Sequence, residues 1–215
     1  MRAAAWVAIV LLALASKPAL GAEGEPECFD VAAIARIDRN VATPLPENQR
    51  DAMIARWPWL AEISVEEVLL GSEGQRHLQT VQMQHVGFDP RYQHWLLLLK
   101  RSGDGTYSIV DDQPFVIRDL RGRFVIPLTN PWVLRPGWNS PDFVAAARPI
   151  QYRASDAWWL ARWRKFDVEG EGAGWTILSN GHAVALRGLY VDDLVNLLRP
   201  RWAQLCGASG PGQIP

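Results

Sequence analysis

The chain has 215 residues, 48% of them hydrophobic, with 22 Lys and Arg against 23 Asp and Glu. A formal net charge of −1 supplies no basic stripe to replace phosphate counterions, so a nucleic-acid partner is not expected. Only two cysteines are present beside 11 tryptophans, and an even pair in an oxidising compartment is most simply a disulfide.

The first 22 residues read as a signal peptide. Arg2 gives a positive start, Ala3 to Ala15 is almost wholly apolar, and Ala19-Leu20-Gly21 or Leu20-Gly21-Ala22 offers small residues for cleavage. The apolar run is shorter than the roughly 20 residues a spanning helix needs and is interrupted by Lys17-Pro18, so no membrane anchor is expected after cleavage. Cys28 follows Glu25-Pro26-Glu27 rather than a small-residue box, which argues against lipidation. The expected location is secreted or periplasmic. Removing 22 of 215 residues leaves 193, with 20 basic and 23 acidic side chains, enough for one core. Cys28 and Cys206 then lie near the two ends of the mature chain, and a disulfide between them closes a loop of 178 residues. Neither follows a glycine-rich turn or has a neighbouring histidine, the surroundings that activate a catalytic thiol.

Residues 30–40 fit either a strand or a helix capped by Asp30. Alanine content favours the helix and the neighbouring pattern favours the strand. Pro44 and Pro46 end the element, and Glu47 to Arg56 is polar with enough helix formers for a turn or two. Trp57-Pro58-Trp59 holds the chain extended at the entry to a strand, its indoles expected in the core. Leu60 to Leu70 alternates apolar and polar residues until the Glu66-Glu67 doublet shifts the phase, a slip that a β-bulge accommodates. Gly71 ends the segment. Val81 and Met83 alternate with Gln82 and Gln84, whereas Trp95 to Leu99 is five consecutive apolar residues, the mark of a strand covered on both faces. Ser102 to Gly105 links it to the next strand as a hairpin, Gly103 and Gly105 being free to take positive φ.

An apolar element just after a cysteine, then LAEISVEEVLLG, HLQTVQMQ and HWLLLLKRSGDGTYSIVDD, resembles the netrin-type domain of the tissue inhibitors of metalloproteinases over roughly residues 28–112. The resemblance implies a five-stranded OB barrel. It does not extend to the family's inhibitory device, in which a cysteine at the mature N-terminus chelates a protease zinc, because Cys28 lies several residues inside and the family's other cysteines are missing.

Phe115 to Arg118 and Arg123 to Ile126 form a hairpin in which Gly122 suits the left-handed turn. From Pro127 to Pro149 prolines and tryptophans accumulate, reading as an ordered wrap packed on the barrel, with a short helix from Ser140-Pro141 through Ala147. Ser155 to Lys165 (SDAWWLARWRK) spaces Trp159 and Trp163 four apart and gathers cations at its end. Core anchoring is the commoner role for such indoles. As a surface, Trp158, Trp159, Arg162, Trp163 and Arg164 are the candidate binding residues, suited to a glycan or an anionic ligand. The glycine-rich run Glu169 to Gly174 lacks the spacing of a dinucleotide site. WTILSNGHAVALRG is a hairpin about Asn180-Gly181, and Val191 to Leu198 an amphipathic helix that Pro200 ends or kinks.

Chemistry-bearing constellations are scarce. His85, Asp89 and His94 flank one loop without convincing metal-ligand spacing, His182 sits in a hairpin turn, and Glu66-Glu67 and Asp111-Asp112 are adjacent on strands and so point to opposite faces. No catalytic residue, metal site or cofactor is assigned. The sequence is read as a β-rich α+β protein. It comprises a signal peptide (1–22), a small OB-like antiparallel barrel (23–126) and a Trp/Pro-rich extension (127–215) ending in a hairpin and helix. The expected function is a non-catalytic binding module for a protein or glycan of the envelope or extracellular space. The alternative is an envelope hydrolase whose residues converge only in three dimensions.

Overall fold

The computed structural model describes residues 28–44, 57–84, 87–90, 92–110, 114–128, 141–152, 176–179 and 182–206. Residues 1–22, read from the sequence as a signal peptide, Glu47 to Arg56, Ser155 to Lys165 and the 169–174 run lie outside them. The described chain is rich in strands. Five of them, β1 (Val31–Ala42), β2 (Trp57–Leu70), β3 (His77–Gln84), β4 (His94–Arg101) and β5 (Tyr107–Val110), close into a barrel in the order β1-β2-β3-β5-β4-β1. Of residues 30–40, ambiguous in sequence, 31–40 are strand, within β1. The expectation of an antiparallel barrel requires correction, because β3 and β5 pair in parallel, Thr80 opposite Tyr107 and Val81 opposite Ser108. The reason is parity. Strand directions cannot alternate all the way round a ring of five, so one junction must be parallel.

Two apolar layers share the wall made by β1 and β4. Val31, Ala33, Ala35, Leu97 and Leu99 point into the barrel with Ile63, Val65, Leu78 and Ile109. Ala32, Ile34, Leu96 and Leu98 point outward into a second core. This is the two-sided burial that the unbroken apolar run Trp95 to Leu99 predicts, and β1 shows it too. The β1–β2 ladder contains three register shifts: Asp38 is extra on β1, and Glu66 and Leu69 are extra on β2. The Glu66 bulge lies where the acidic doublet places it. Such bulges bend a strand sharply enough to turn a barrel corner.

Beyond the barrel, β6 (Phe115–Arg118) and β7 (Phe124–Leu128) form a hairpin whose turn uses Gly122 at φ 81°. In the Ser102–Gly105 hairpin, only Gly105 of the two glycines takes positive φ, at 85°. Strand β7 pairs with β11 (Arg187–Tyr190), which pairs with the short β8 (Arg148–Pro149). Strands β9 (Thr176–Ser179) and β10 (His182–Ala185) pair in antiparallel fashion, Ser179 opposite His182, while Asn180 and Gly181 lie outside the described residues. Helix α1 (Pro141–Ala146) and helix α2 (Val191–Cys206) cover the second core through Phe143, Val191, Leu194 and Leu198. Helix α2 continues through Pro200 to Cys206. Residue 200 is exposed, so water can serve the carbonyl that loses its helical partner. The last turns are held from outside. Trp202 Nε1 donates to the Phe29 carbonyl at 2.7 Å, Phe29 stacks on Trp202, and Cys28 is bonded to Cys206. Among the described residues no helix is long and apolar enough to cross a membrane.

Candidate functional site

The two ends of the barrel differ. At the end where β2 and β4 finish, Glu73 accepts hydrogen bonds from Tyr107 Oη and, at 2.9 Å, from Arg101 Nη2, and Arg101 Nε donates to Tyr107 Oη at 2.9 Å. Burial alone would raise the Glu73 carboxyl, but the bonds from Tyr107, the Gln75 amide and Arg101 hold it below its ordinary value. Gly71, at φ 79°, passes so close to the Asp30 carbonyl that a Cβ would lie on top of it. This end is a fully partnered clamp.

The opposite end is not. The β1–β4 ladder stops at Arg36–His94 and the β3–β5 ladder at Val81–Ser108, while β1, β2 and β3 continue together. Residues 39–42, 57–62 and 82–84 therefore project as a three-stranded tongue. Pairing sets Pro58 beside Met83, Leu60 between Val41 and Val81, Trp57 beside Gln84, and Trp59 between Ala42 and Gln82. Side chains alternate in direction along a strand, so the tongue has two unlike faces. One carries exposed apolar groups, with Leu60 47% and Met83 52% accessible.

The other face carries indoles and carboxamides. Trp57 and Trp59 are half-buried and belong to neither barrel core, which corrects the expectation that both pack in the interior. Trp57 Nε1 donates to the Thr43 carbonyl at 2.7 Å. Trp59 Nε1, both polar atoms of the Asn40 carboxamide and Gln84 Oε1 are shielded from solvent and find no hydrogen-bond partner among the described residues. Burying such groups unpaired costs about 1–3 kcal/mol each. Gly87 of the β3–β4 loop lies over them: a Cβ there would stand 2.7 Å from the Trp59 ring and 3.0 Å from Asn40 Oδ1. The same loop plugs the barrel with Phe88 edge-on to Trp95 and Tyr92 stacked on Phe115.

A polar ladder runs down the outer wall next to the tongue, and two of its carboxylates come from bulge residues. Asp38 accepts from Arg36 Nε at 2.9 Å and from Ser64 Oγ at 2.5 Å, and the Ser64 bond, with Arg36 opposing the effect of burial, lowers its carboxyl. Glu66 lies 3.2 Å from His94 Nδ1 and 3.4 Å from Arg118 Nη2. His94 packs edge-on to Phe124, and burial holds its imidazole below the ordinary value against the pull of Glu66. Ser64 Oγ also meets His77 Nδ1 at 3.1 Å. These are the residue types of a hydrolytic triad in the wrong order. The hydroxyl stands between carboxylate and imidazole, so Asp38 orients no base and, among the described residues, no carboxylate bonds His77 to orient it.

Of the residues singled out in the sequence, Cys28 and Cys206 are joined as expected, while Trp158, Trp159, Arg162, Trp163, Arg164, His85, Asp111 and Asp112 lie outside the described residues. Asp89 is in the β3–β4 loop, His94 on β4 and His182 at the start of β10. Among the described residues no group of three or more metal-ligating side chains comes together. The indole–carboxamide face went unrecognised because WPW and QMQ are each visible as strand, but their register is not: a slip of one residue would put Met83, rather than Gln82 and Gln84, on the same face as the indoles. No protein-family model, curated protein or solved structure matches this chain.

Proposed function

We propose that the protein is a secreted or periplasmic, non-catalytic binding module built on an OB-like scaffold. The observation that carries this reading is the tongue at one end of the barrel, one face of which exposes the apolar side chains of Leu60 and Met83. Monomeric domains commonly use such uncommitted surface for recognition. The scaffold reading draws support from the strand order. Five strands that close with β4 returning beside β1 and β5 beside β3 make a small Greek-key barrel of the kind the netrin-type resemblance implies. The inhibitory device of that family is not part of the proposal, since Cys28 is committed to Cys206. The disulfide fits an oxidising compartment.

In this reading Trp158, Trp159, Arg162, Trp163 and Arg164 of the Trp/Pro-rich extension, which lie outside the described residues, are proposed as a second contact region. Affinity capture from the envelope fraction of the native cell, with the disulfide-bonded chain lacking residues 1–22 as bait, tests it. A specific partner should be retained and should be lost with the paired variant Leu60→Asp and Met83→Lys. Recovery of no partner, together with hydrolytic turnover in an esterase and glycosidase screen, would replace this reading with the hydrolase alternative.

A further inference from the structure

We infer that the Cys28–Cys206 disulfide is a redox-sensitive latch on helix α2: when a dithiol reduces it, residues 199–206 come off the second core about Pro200 and uncover Phe29, while the barrel and the earlier turns of the helix stay folded. This goes beyond the binding-module reading and does not depend on it. Three observations carry the inference. The first is that α2 has two unlike parts. Leu194, Leu198, Trp202 and Cys206 follow one another at four-residue spacing along one face. Leu194 and Leu198 are buried in the second core, but from Arg199 to Cys206 no residue is buried, and Leu205 is 42% exposed. The second is the joint between the parts. Pro200 has no N–H to give the Asn196 carbonyl, so the backbone ladder is interrupted where burial stops. A freed piece of eight residues cannot stay helical alone, since an isolated helix below roughly 12 residues is marginal in water.

The third is how the last turns are held. Trp202 and Cys206, one turn apart, grip two consecutive residues at the entry to β1: the Trp202 ring lies 6.0 Å from that of Phe29 and its Nε1 donates to the Phe29 carbonyl at 2.7 Å, while Cys206 is bonded to Cys28. Arg201 lies over the Phe143 ring at 4.5 Å. The disulfide thus closes the turn beside the indole and keeps it on Phe29, a buried ring of the second core. Cys28 and Cys206 are half-buried rather than enclosed, within reach of a small or protein-borne dithiol. The reduction balances on that reagent alone. One of its thiolates attacks a sulfur of the bond to form a mixed disulfide, its second thiol displaces the protein sulfur, and two cysteine thiols and the oxidised dithiol result.

Hydrogen–deuterium exchange read by mass spectrometry, on the disulfide-bonded chain and on the same protein fully reduced with dithiothreitol, tests the latch. After reduction the amides of 201–206 should exchange as fast as those of an unstructured peptide, while those of 194–198 and of β4 should remain at least about tenfold slower than unstructured, the mark of local rather than global opening. The paired variant Cys28→Ser and Cys206→Ser should show the same pattern without reductant and should not respond to dithiothreitol. Pro200→Ala restores the missing N–H and should slow exchange of 201–206 in the reduced protein by about tenfold or more. The inference is overturned if 201–206 stay as protected as 194–198 after reduction, or if all three regions lose protection together, which would make the bond a staple of the whole fold. A response of the serine variant to dithiothreitol, or an unchanged rate in Pro200→Ala, would overturn it as well.

Discussion

If β4 is a wall between two cores, truncation on either side of it should destabilise the whole molecule. Leu97 faces the barrel interior at 0% exposure and Leu96 faces the second core at 1%. Leu→Ala removes three carbon groups, worth about 2.4 kcal/mol at roughly 0.8 kcal/mol each, and the cavity left in a fully packed site brings the cost to about 3–4 kcal/mol. Against a total stability on the order of 5–15 kcal/mol, each single variant should fold and the double variant should approach instability. Urea unfolding followed by both tryptophan fluorescence and far-UV circular dichroism reads this directly. Leu96→Ala and Leu97→Ala should each lower the midpoint of one shared transition, with the two probes coincident. The reasoning is refuted if Leu96→Ala splits the curve, a second layer melting first while the barrel keeps its original midpoint, because the cores would then not share their stability.

Three further outcomes follow from the polar and covalent ties. Asp119 is buried, accepts the Arg121 and Arg123 amides at 2.9 Å each and binds Arg123 Nε and Nη2 at 3.0 and 2.7 Å. Burial would raise its carboxyl, yet these bonds lower it, so its stabilisation is present above the unfolded value of 3.8 and fades as pH falls through the lower folded value. Asp119→Asn should cost about 2–4 kcal/mol at neutral pH, the low end applying because Arg123 can turn to water, and should flatten the acid limb of a stability–pH curve; an unchanged limb would refute it. For His94 the unfolded value is 6.5 and the folded one is lower, so the unfolded chain binds more protons and stability should fall as pH drops below 6.5. His94→Gln, which leaves Glu66, Arg118 and Arg36 in place, should reduce that slope in thermal melts between neutral and mildly acidic pH, and an undiminished slope would exclude it. Replacing Cys28 and Cys206 by Ser opens a loop of 178 residues and should cost up to about 5 kcal/mol through chain entropy, measurable by urea unfolding and contradicted by a loss below about 1 kcal/mol.

Periodicity made the wall strand, the Glu66 bulge, the Gly122 turn and the Val191 to Leu198 helix legible, because each leaves a local mark: an unbroken apolar run, a phase slip, a glycine between strands, a stripe at helical spacing. Residues 31–35 left no such mark. Their alanines are good helix formers, and they lie in a strand because β1 is covered on both faces and flanked by β2 and β4, so long-range packing overrides propensity. The parallel β3–β5 junction is also non-local, since it follows from closing an odd ring rather than from either strand's residues. The candidate site was hidden for a third reason. It exists only as register between WPW and QMQ, and the residue that completes it, Asn40, comes from a strand whose phase is shifted by the bulge at Asp38.

The Glu66 bulge allows shape and chemistry to be separated. Val65 pairs with Ala35, Glu67 with Ile34 and Val68 with Ala33, so without Glu66 this stretch from Val65 to Val68 would run in continuous register with the same residues facing inward. The inserted residue is therefore not needed to keep side chains on their faces. What it adds is a bend in β2 and a carboxylate beside His94 and Arg118. Glu66→Ala keeps the bend and removes only a partly exposed ion pair, so it should cost less than about 1 kcal/mol, while lowering the His94 imidazole further as the raising influence of Glu66 is lost. Deleting Glu66 straightens β2 at a corner the barrel must turn, and should cost clearly more than the alanine variant in urea unfolding. Equal costs for the two would mean that the barrel closes without this bend. The bulge would then be there to aim the carboxylate at His94 and Arg118 rather than to shape the barrel.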